Sequence, residues 1–309
     1  MSMLNAKQFQ NAKNARVYLE KLRWPDGPVC PHCGGVDHSY DTKKGGRYRC
    51  AHRECRKDFT VTTKTVMEHS KVALHLWLQA FYLLTSSKKG YSSHQLHRTL
   101  GVTYKTAWFM THRIREAMRT GGLVSPLGGE GQIVEADETY YGNVDKMNRR
   151  TKTTSGRPFI KKGRASNKRP IVSLVERGGN VRSFHVAVAN KVNVTDIVRG
   201  NVAKESRLHT DESNLYRGSN EHFASHETVK HTAGEYARGD VHSNSVEGYF
   251  SLFKRGMKGV YQHCAEKHLH RYLAEFDFRY NARKITDGER AALALVGIAD
   301  KRLTYNQPR

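Results

Sequence analysis

Apolar residues along the chain recur at helical spacing in some stretches and alternate or cluster in others, and the two patterns lay out most of its elements. Phe9 to Leu22 carries a short amphipathic helix that Trp24-Pro25-Asp26-Gly27 stops. Leu74, Trp77, Leu78, Phe81 and Leu84 mark the buried face of a second helix. Ser92 to Leu100 follows with a serine cap, then the turn Gly101-Val102-Thr103, then a helix from Tyr104 to Met118 with Ala107, Met110, Ile114 and Met118 at core spacing. Lys57 to Thr63 alternates as a strand does. Gln132 to Gly142, Ile171 to Val175, Val181 to Val188 and Ser206 to Asp211 read as further strands, with Arg177-Gly-Gly-Asn180 as a hairpin turn and a helix over Val194 to Lys204. The stretch His242 to Gly256 is again helical, with Val246, Phe250 and Phe253 facing a core.

That last helix carries chemistry on its polar side. Glu247 and Lys254 are seven positions apart, so they project in nearly the same direction two turns from each other. An acid and a base held there, beside Lys254-Arg255-Gly256, suit a site that takes a metal ion and a phosphate backbone. Two upstream acids complete the pattern: Asp137 in the first long strand and Asp211 at the end of the fourth. Glu135 shares a face with Asp137, whereas Glu138 points to the other face and reads as structural or interfacial. Three strands, a helix, a strand and then late helices form the start of a ribonuclease-H-like α/β fold, in which these three acids converge. Residues 143 to 168, rich in Lys, Arg, Ser and Gly, read as a flexible basic loop.

Charge and cysteines add partners to this picture. The 309 residues allow two or three small domains, and 52 Lys and Arg against 29 acids leave a formal charge of +23. Such an excess favours a polyanion, nucleic acid above all. No apolar run approaches twenty residues, and Lys7, Lys13 and Arg16 break any apolar leader, so a soluble, cytoplasmic protein without a membrane partner is expected. Four of the five cysteines lie between positions 30 and 55, as Cys30-Pro-His-Cys33-Gly-Gly and Cys50-Ala-His-Arg-Glu-Cys55. Two such turns supply four thiolates to one tetrahedral Zn²⁺ in a module too small to fold unaided. His32 or His52 as substitute ligands, and four metal-free thiols, are the alternatives. Cys264 has no partner and reads as buried filler. Helix, Gly-containing turn and helix over 92 to 118 form a helix-turn-helix pattern, which offers Lys105, Thr106, His112, Arg113 and Arg115 to DNA. An ordinary three-helix packing unit with a solvated basic face is the plainer reading. His209 and His242 stand close to the acids in sequence.

Taken together, Glu135-Ala-Asp137-Glu-Thr-Tyr-Tyr-Gly142, Thr210-Asp211 with Tyr216, His242-Ser-Asn244-Ser-Val-Glu247 through Lys254-Arg255-Gly256, and Arg279-Tyr-Asn281 resemble a bacterial insertion-sequence transposase of the DDE type. The group in question carries a zinc ribbon before its integrase core, and the resemblance spans roughly residues 15 to 285. It implies an N-terminal helix and zinc ribbon over 1–68, a helix-turn-helix module over 69–124, a ribonuclease-H-like catalytic core over 125–285 and a C-terminal tail over 286–309. It implies Asp137, Asp211 and Glu247 as the catalytic, metal-holding triad. Some members carry Asn as the third ligand, which leaves Asn244 as the alternative to Glu247; a third carboxylate holds divalent cations better than a neutral amide. Two Mg²⁺ about 3.5–4 Å apart would serve the phosphoryl transfer, with Lys254 and Arg255 holding phosphates. Water would first free a 3′-hydroxyl at the element end, and that hydroxyl would then attack target DNA. The implied partners are terminal inverted repeats, target DNA and further copies of the chain assembled on DNA. A DNA-binding regulator with an inactive core, a structure-specific nuclease and a structural zinc protein binding RNA are the competing functions.

Overall fold

The computed structural model describes residues 3–36, 38–42, 45–120, 124–143, 151–152, 155, 158–159, 168–235 and 237–304. Two compact units emerge, Met1–Arg119 with Ala282–Arg309, and Thr120–Asn281.

The first unit begins with α1 (Ala12–Arg23), whose N-cap Asn11 accepts the N–H of Asn14. Strands β1 (Ser39–Asp41), β2 (Tyr48–Cys50) and β3 (Asp58–Phe59) form an antiparallel ribbon. Trp24 is set edge-on against Tyr48 and Phe59, which stack on each other, and this small cluster is the ribbon's aromatic core among the described residues. Helix α2 (Leu74–Ser86) buries Trp77, Leu78, Phe81 and Leu84. Helix α3 (Ser93–Leu100) starts with a capping box between Ser92 and Gln95, a device worth about 0.5–2 kcal/mol. It ends at Gly101, whose φ of 66° is open to glycine. Helix α4 (Tyr104–Met118) follows after a Thr103 cap and buries Ala107, Met110, Ile114 and Met118 as the spacing predicts.

The second unit is built on β4 (Ile133–Asn143), the short pair β5 (Thr151–Lys152) and β6 (Pro158–Phe159), β7 (Lys168–Glu176) and β8 (Val181–His185). Then come α5 (Lys191–Asn201), β9 (Arg207–Asp211), β10 (Ser225–Val229), α6 (Asn244–Gly256), a π-helical turn over Met257–Tyr261, and α7 (Leu269–Asn281). The main sheet runs β10-β9-β4-β7-β8, with β4, β7 and β8 antiparallel and β10, β9 and β4 parallel. This is the α/β, ribonuclease-H-like topology expected from the sequence, with β10 as a fifth strand that the sequence pattern had not marked. Alternation along β7 explains its uninterrupted apolar run. Ile171 and Val175 pack with Val246, Phe250, Phe253 and Phe276 on the α6–α7 face, while Val172 and Leu174 pack with Val194 and Val198 on the α5 face. The basic stretch expected over 143–168 lies for the most part outside the described residues.

After α7 the chain returns to the first unit as α8 (Asp287–Val296), begun by a Thr286–Glu289 capping box. Segment 286–309, expected as a tail, is therefore in part a packed helix. Ala291, Ala294 and Leu295 are buried, and Arg290 Nη1 donates to the Thr85 carbonyl 3.2 Å away at the end of α2. Two residues assigned to DNA are also corrected. Arg113 is buried, donating to the carbonyls of Leu303 (3.1 Å) and Glu68 (3.2 Å) with its guanidinium 4.5 Å from the Phe109 ring. Arg115 is only 1 % exposed, and His112 is fully buried. Both arginines lie on the side of α4 that packs inward, where the aliphatic stem fills space, and the Arg113 guanidinium satisfies main-chain groups. Lys105, on the first turn, is exposed. Among the described residues no helix is long and apolar enough to cross a membrane.

Candidate active site and thiol centre

The parallel pairing of β4 with β9 ends at Glu135 opposite His209. Beyond that point the strands part, and the acids two residues further along each strand, Asp137 and Asp211, flank the opening. Ligands commonly sit outside the carboxyl ends of parallel strands for this reason. Asp137 leaves β4 on the α6 face, since its neighbours Val134 and Ala136 belong to the α5 face. Helix α6 brings Glu247 from the other side. A cavity of about 490 Å³ results, lined by Asp137, Glu138, Asp211, His231, Glu247 and Lys254, with Arg255 and Lys258 at its wall.

Oxygens of Asp137, Glu138 and Asp211 all lie within 4.8 Å of one another. The expectation for Glu138 is thus corrected. Its side chain does leave the strand on the face opposite Asp137, towards Tyr216, but the splayed strand end lets its carboxylate reach round to the other two acids. Tyr216 Oη (2.8 Å) and Ser213 Oγ (3.3 Å), from the turn after β9, donate to it and hold it there. Asp211 accepts the N–H of Ser213 at 3.0 Å and Asp137 that of Glu138 at 2.7 Å. Glu247 stands slightly apart: its Oε1 accepts from Ser243 Oγ at 2.9 Å and lies 3.5 Å from His231 Nε2. Asn244, the alternative third ligand, is exposed and is not among the residues lining the cavity.

The electrostatics describe a site built for positive charge. Burial raises the pKa of Asp137, and the neighbouring Glu138 and Asp211 raise it further, to about 8. Burial also raises Glu138 and Asp211. Burial lowers Lys254, against the pull of Asp137. Closely spaced carboxylates that resist ionisation are relieved by a divalent cation, and oxygen-only ligands of this kind suit Mg²⁺ or Mn²⁺. The residues present therefore fit the expected metal. His231 and Lys258 were not singled out in the sequence. His231 sits in a short turn after β10, a strand whose pattern Ser225-His-Glu-Thr-Val carries little apolar signal.

The four cysteines of the ribbon also converge. Cys30 and Cys55 sulfurs are 3.8 Å apart and those of Cys33 and Cys50 3.6 Å, all four within 4.8 Å. A tetrahedral zinc with bonds of about 2.3 Å requires sulfur separations of about 3.8 Å, so the set fits one Zn²⁺. Gly34, at φ 77°, closes the first knuckle, with its N–H donating to the Cys30 carbonyl at 2.8 Å. His32 and His52 lie outside the thiol cluster.

Comparison with known proteins agrees with this layout. Residues 126–281 match the ISXO2-like transposase domain, and residues 11–58 match the transposase zinc-ribbon domain. An uncharacterised protein in transposable element ISH50 of Halobacterium salinarum is 30 % identical over 286 residues, covering 90 % of this chain and 93 % of its own. Among solved structures, a chain of a simian T-cell lymphotropic virus intasome bound to PP2A regulatory subunit B56 gamma is 12 % identical, with a TM-score of 0.28; 59 % of this chain is covered, and less than two thirds, 63 %, of that one. A chain of a pre-cleavage Mos1 transpososome is 13 % identical over 68 % of this chain and 78 % of its own, with a TM-score of 0.23.

Proposed function

Because the chain belongs to the ISXO2-like transposase family, we propose that it cleaves DNA at the ends of its own element and joins the freed ends to target DNA at the cavity between β4, β9 and α6. The observation that carries this reading is the set of three carboxylates within 4.8 Å, with Glu247, Lys254 and Arg255 of α6 lining the same cavity. Asp137, Asp211 and Glu247 would hold two Mg²⁺, with Glu138 as a fourth carboxylate at the edge. When bound, these ions neutralise charge on the attacking and leaving oxygens of a phosphodiester displacement. Lys254, Arg255 and Lys258 bind and orient the phosphate backbone along α6. His231 holds Glu247 from its far side. No side-chain nucleophile is needed, since water and then the 3′-hydroxyl of DNA attack in turn.

The rest of the chain delivers the substrate. Cys30, Cys33, Cys50 and Cys55 hold a structural Zn²⁺ that fixes the ribbon. Helices α3 and α4 act as a helix-turn-helix whose exposed first turn, with Lys105, meets the terminal inverted repeats. Two ends must be processed together, so several copies of the chain assemble on DNA.

The test uses DNA bordering the gene as substrate. Asp137→Ala, Asp211→Ala and Glu247→Ala are expected to abolish Mg²⁺-dependent cleavage and joining while retaining end binding. Full activity in both aspartate variants sinks the proposal. Loss of cleavage in Asn244→Ala alongside near-normal Glu247→Gln transfers the third role to Asn244.

A further inference from the structure

The geometry points to a common anchor beneath the acids: we propose that Glu135 and Arg177 are positioning residues that set the spacing of Asp137, Asp211 and Glu247. This rests on the metal-site reading above. Glu135 is fully buried. Its Oε2 accepts the main-chain N–H groups of Ser245 (2.7 Å) and Val246 (3.1 Å), and its Oε1 accepts from Ser245 Oγ (2.9 Å). Helix α6 needs this, because its own N-cap, Ser243, makes no capping bond and donates its hydroxyl to Glu247 instead. The first turn of the helix that carries the third acid is therefore capped by the strand that carries the first. A carboxylate at a helix N-terminus is also favoured by the helix dipole.

Arg177, from the turn after β7, ties the remaining pieces to this carboxylate. Its Nε and Nη2 donate to Glu135 Oε1 at 3.0 and 2.8 Å, and its Nη1 donates to the Asp240 carbonyl at 2.8 Å. Nη2 also lies 3.4 Å from His209 Nδ1 and 3.1 Å from His242 Nδ1. One planar fork thus reaches β4, β9 and the segment leading into α6. The register is telling. Glu135, His209 and Ser245 each stand two positions before an acid: Asp137, Asp211 and Glu247. Glu135 and His209 are also the last paired residues before β4 and β9 part. The cluster sits where the cleft opens and acts on all three carboxylates through their own elements. Metal coordination tolerates only about 0.2 Å in ligand distance, so a small slip of α6 against β4 matters at Glu247.

The experiment titrates Mn²⁺ into the full-length protein, following free Mn²⁺ by electron paramagnetic resonance, with thermal unfolding and zinc content measured in parallel. Arg177→Lys keeps the charge but loses the fork. Glu135→Gln keeps the size but loses the charge. Each is expected to remain folded and to weaken Mn²⁺ binding about 10- to 100-fold, the usual effect of removing a partner that orients ligands. The double variant Glu135→Gln/Arg177→Met removes both buried charges. A merely structural ion pair predicts that the double variant recovers both unfolding temperature and Mn²⁺ affinity. Positioning predicts that temperature recovers and affinity does not. Folded variants that bind Mn²⁺ as the wild type does, or a double variant with restored affinity, overturn the inference and leave the metal site standing. A wild type that binds no Mn²⁺, or an Asp137→Asn variant that binds it equally well, overturns the metal-site reading and this inference with it.

Discussion

Asp137 is stable in its place only at a cost. An ordinary aspartate titrates near 3.8, whereas burial and the adjacent Glu138 and Asp211 push Asp137 up to about 8. The folded chain then holds this proton more tightly than the unfolded chain. In the absence of divalent metal, stability should fall as pH rises from about 4 to about 8 and level off above that. Asp137→Asn removes the ionisable group and keeps the shape. It is expected to raise metal-free stability at pH 7 by on the order of 2 kcal/mol, while cleavage is lost. Thermal melts in chelator across this pH range check it; an Asn variant less stable than wild type at pH 7 contradicts the account. At this scale the sequence was legible in the placement of Asp137, Asp211 and Glu247, whose motif positions bring them to the walls of one cavity. It was not legible for Glu138, whose strand position puts it on the wrong face until the opening of β4 from β9 is known. Nor was it for His231, which no spacing rule links to Glu247.

At the scale of elements, the zinc ribbon and α4 make separate predictions. The ribbon's short strands and small Trp24–Tyr48–Phe59 cluster give it too little buried area to stand without metal. Cys33→Ser with Cys50→Ser should remove the one bound zinc per chain and leave Mn²⁺ binding in the second unit intact; undiminished zinc by elemental analysis would refute the assignment. On α4, exposed Lys105 and buried Arg113 and Arg115 should part company. Lys105→Ala is expected to weaken DNA binding and reduce the slope of log K against log salt by about 0.9, as loss of one phosphate contact does. Arg113→Ala should chiefly lower thermal stability, by about 1–3 kcal/mol, since it strips donors from the Glu68 and Leu303 carbonyls. A salt slope changed by Arg113→Ala at unaltered stability would reverse these roles. Helical spacing identified α2, α4 and α6 because their apolar stripes are strong, whereas α3, which buries only Leu96, was marked by its serine cap. It could not tell that arginines on the same stripe turn inward, because a long side chain can lie on either side of its helix face. Strand β10 and helix α8 escaped notice for a related reason: Ser225 to Val229 lacks apolar alternation, and α8 is short and alanine-rich.

For the whole molecule, the decisive feature is that the chain leaves its first unit, builds the second, and returns. Every residue of the carboxylate cavity and of the Glu135–Arg177 anchor lies within Thr120–Asn281. Both apolar clusters that support the sheet are drawn from the same span, from Leu127 to Phe276. The ISXO2-like match over 126–281 has nearly the same limits. A fragment of residues 120–281 should therefore fold, contain no zinc and bind Mn²⁺ with the affinity of the full chain, while binding DNA more weakly for want of the first unit. The reciprocal truncation should behave differently. Removing residues 282–309 takes away α8, with buried Ala291, Ala294 and Leu295, and the Leu303 carbonyl that Arg113 uses. That loss falls on the first unit alone, so calorimetry should show its transition lowered and the second unit's transition unmoved. An unfolded 120–281 fragment, or a truncation that lowers both transitions together, would mean that the two units stabilise each other and that the carboxylate site is not self-sufficient.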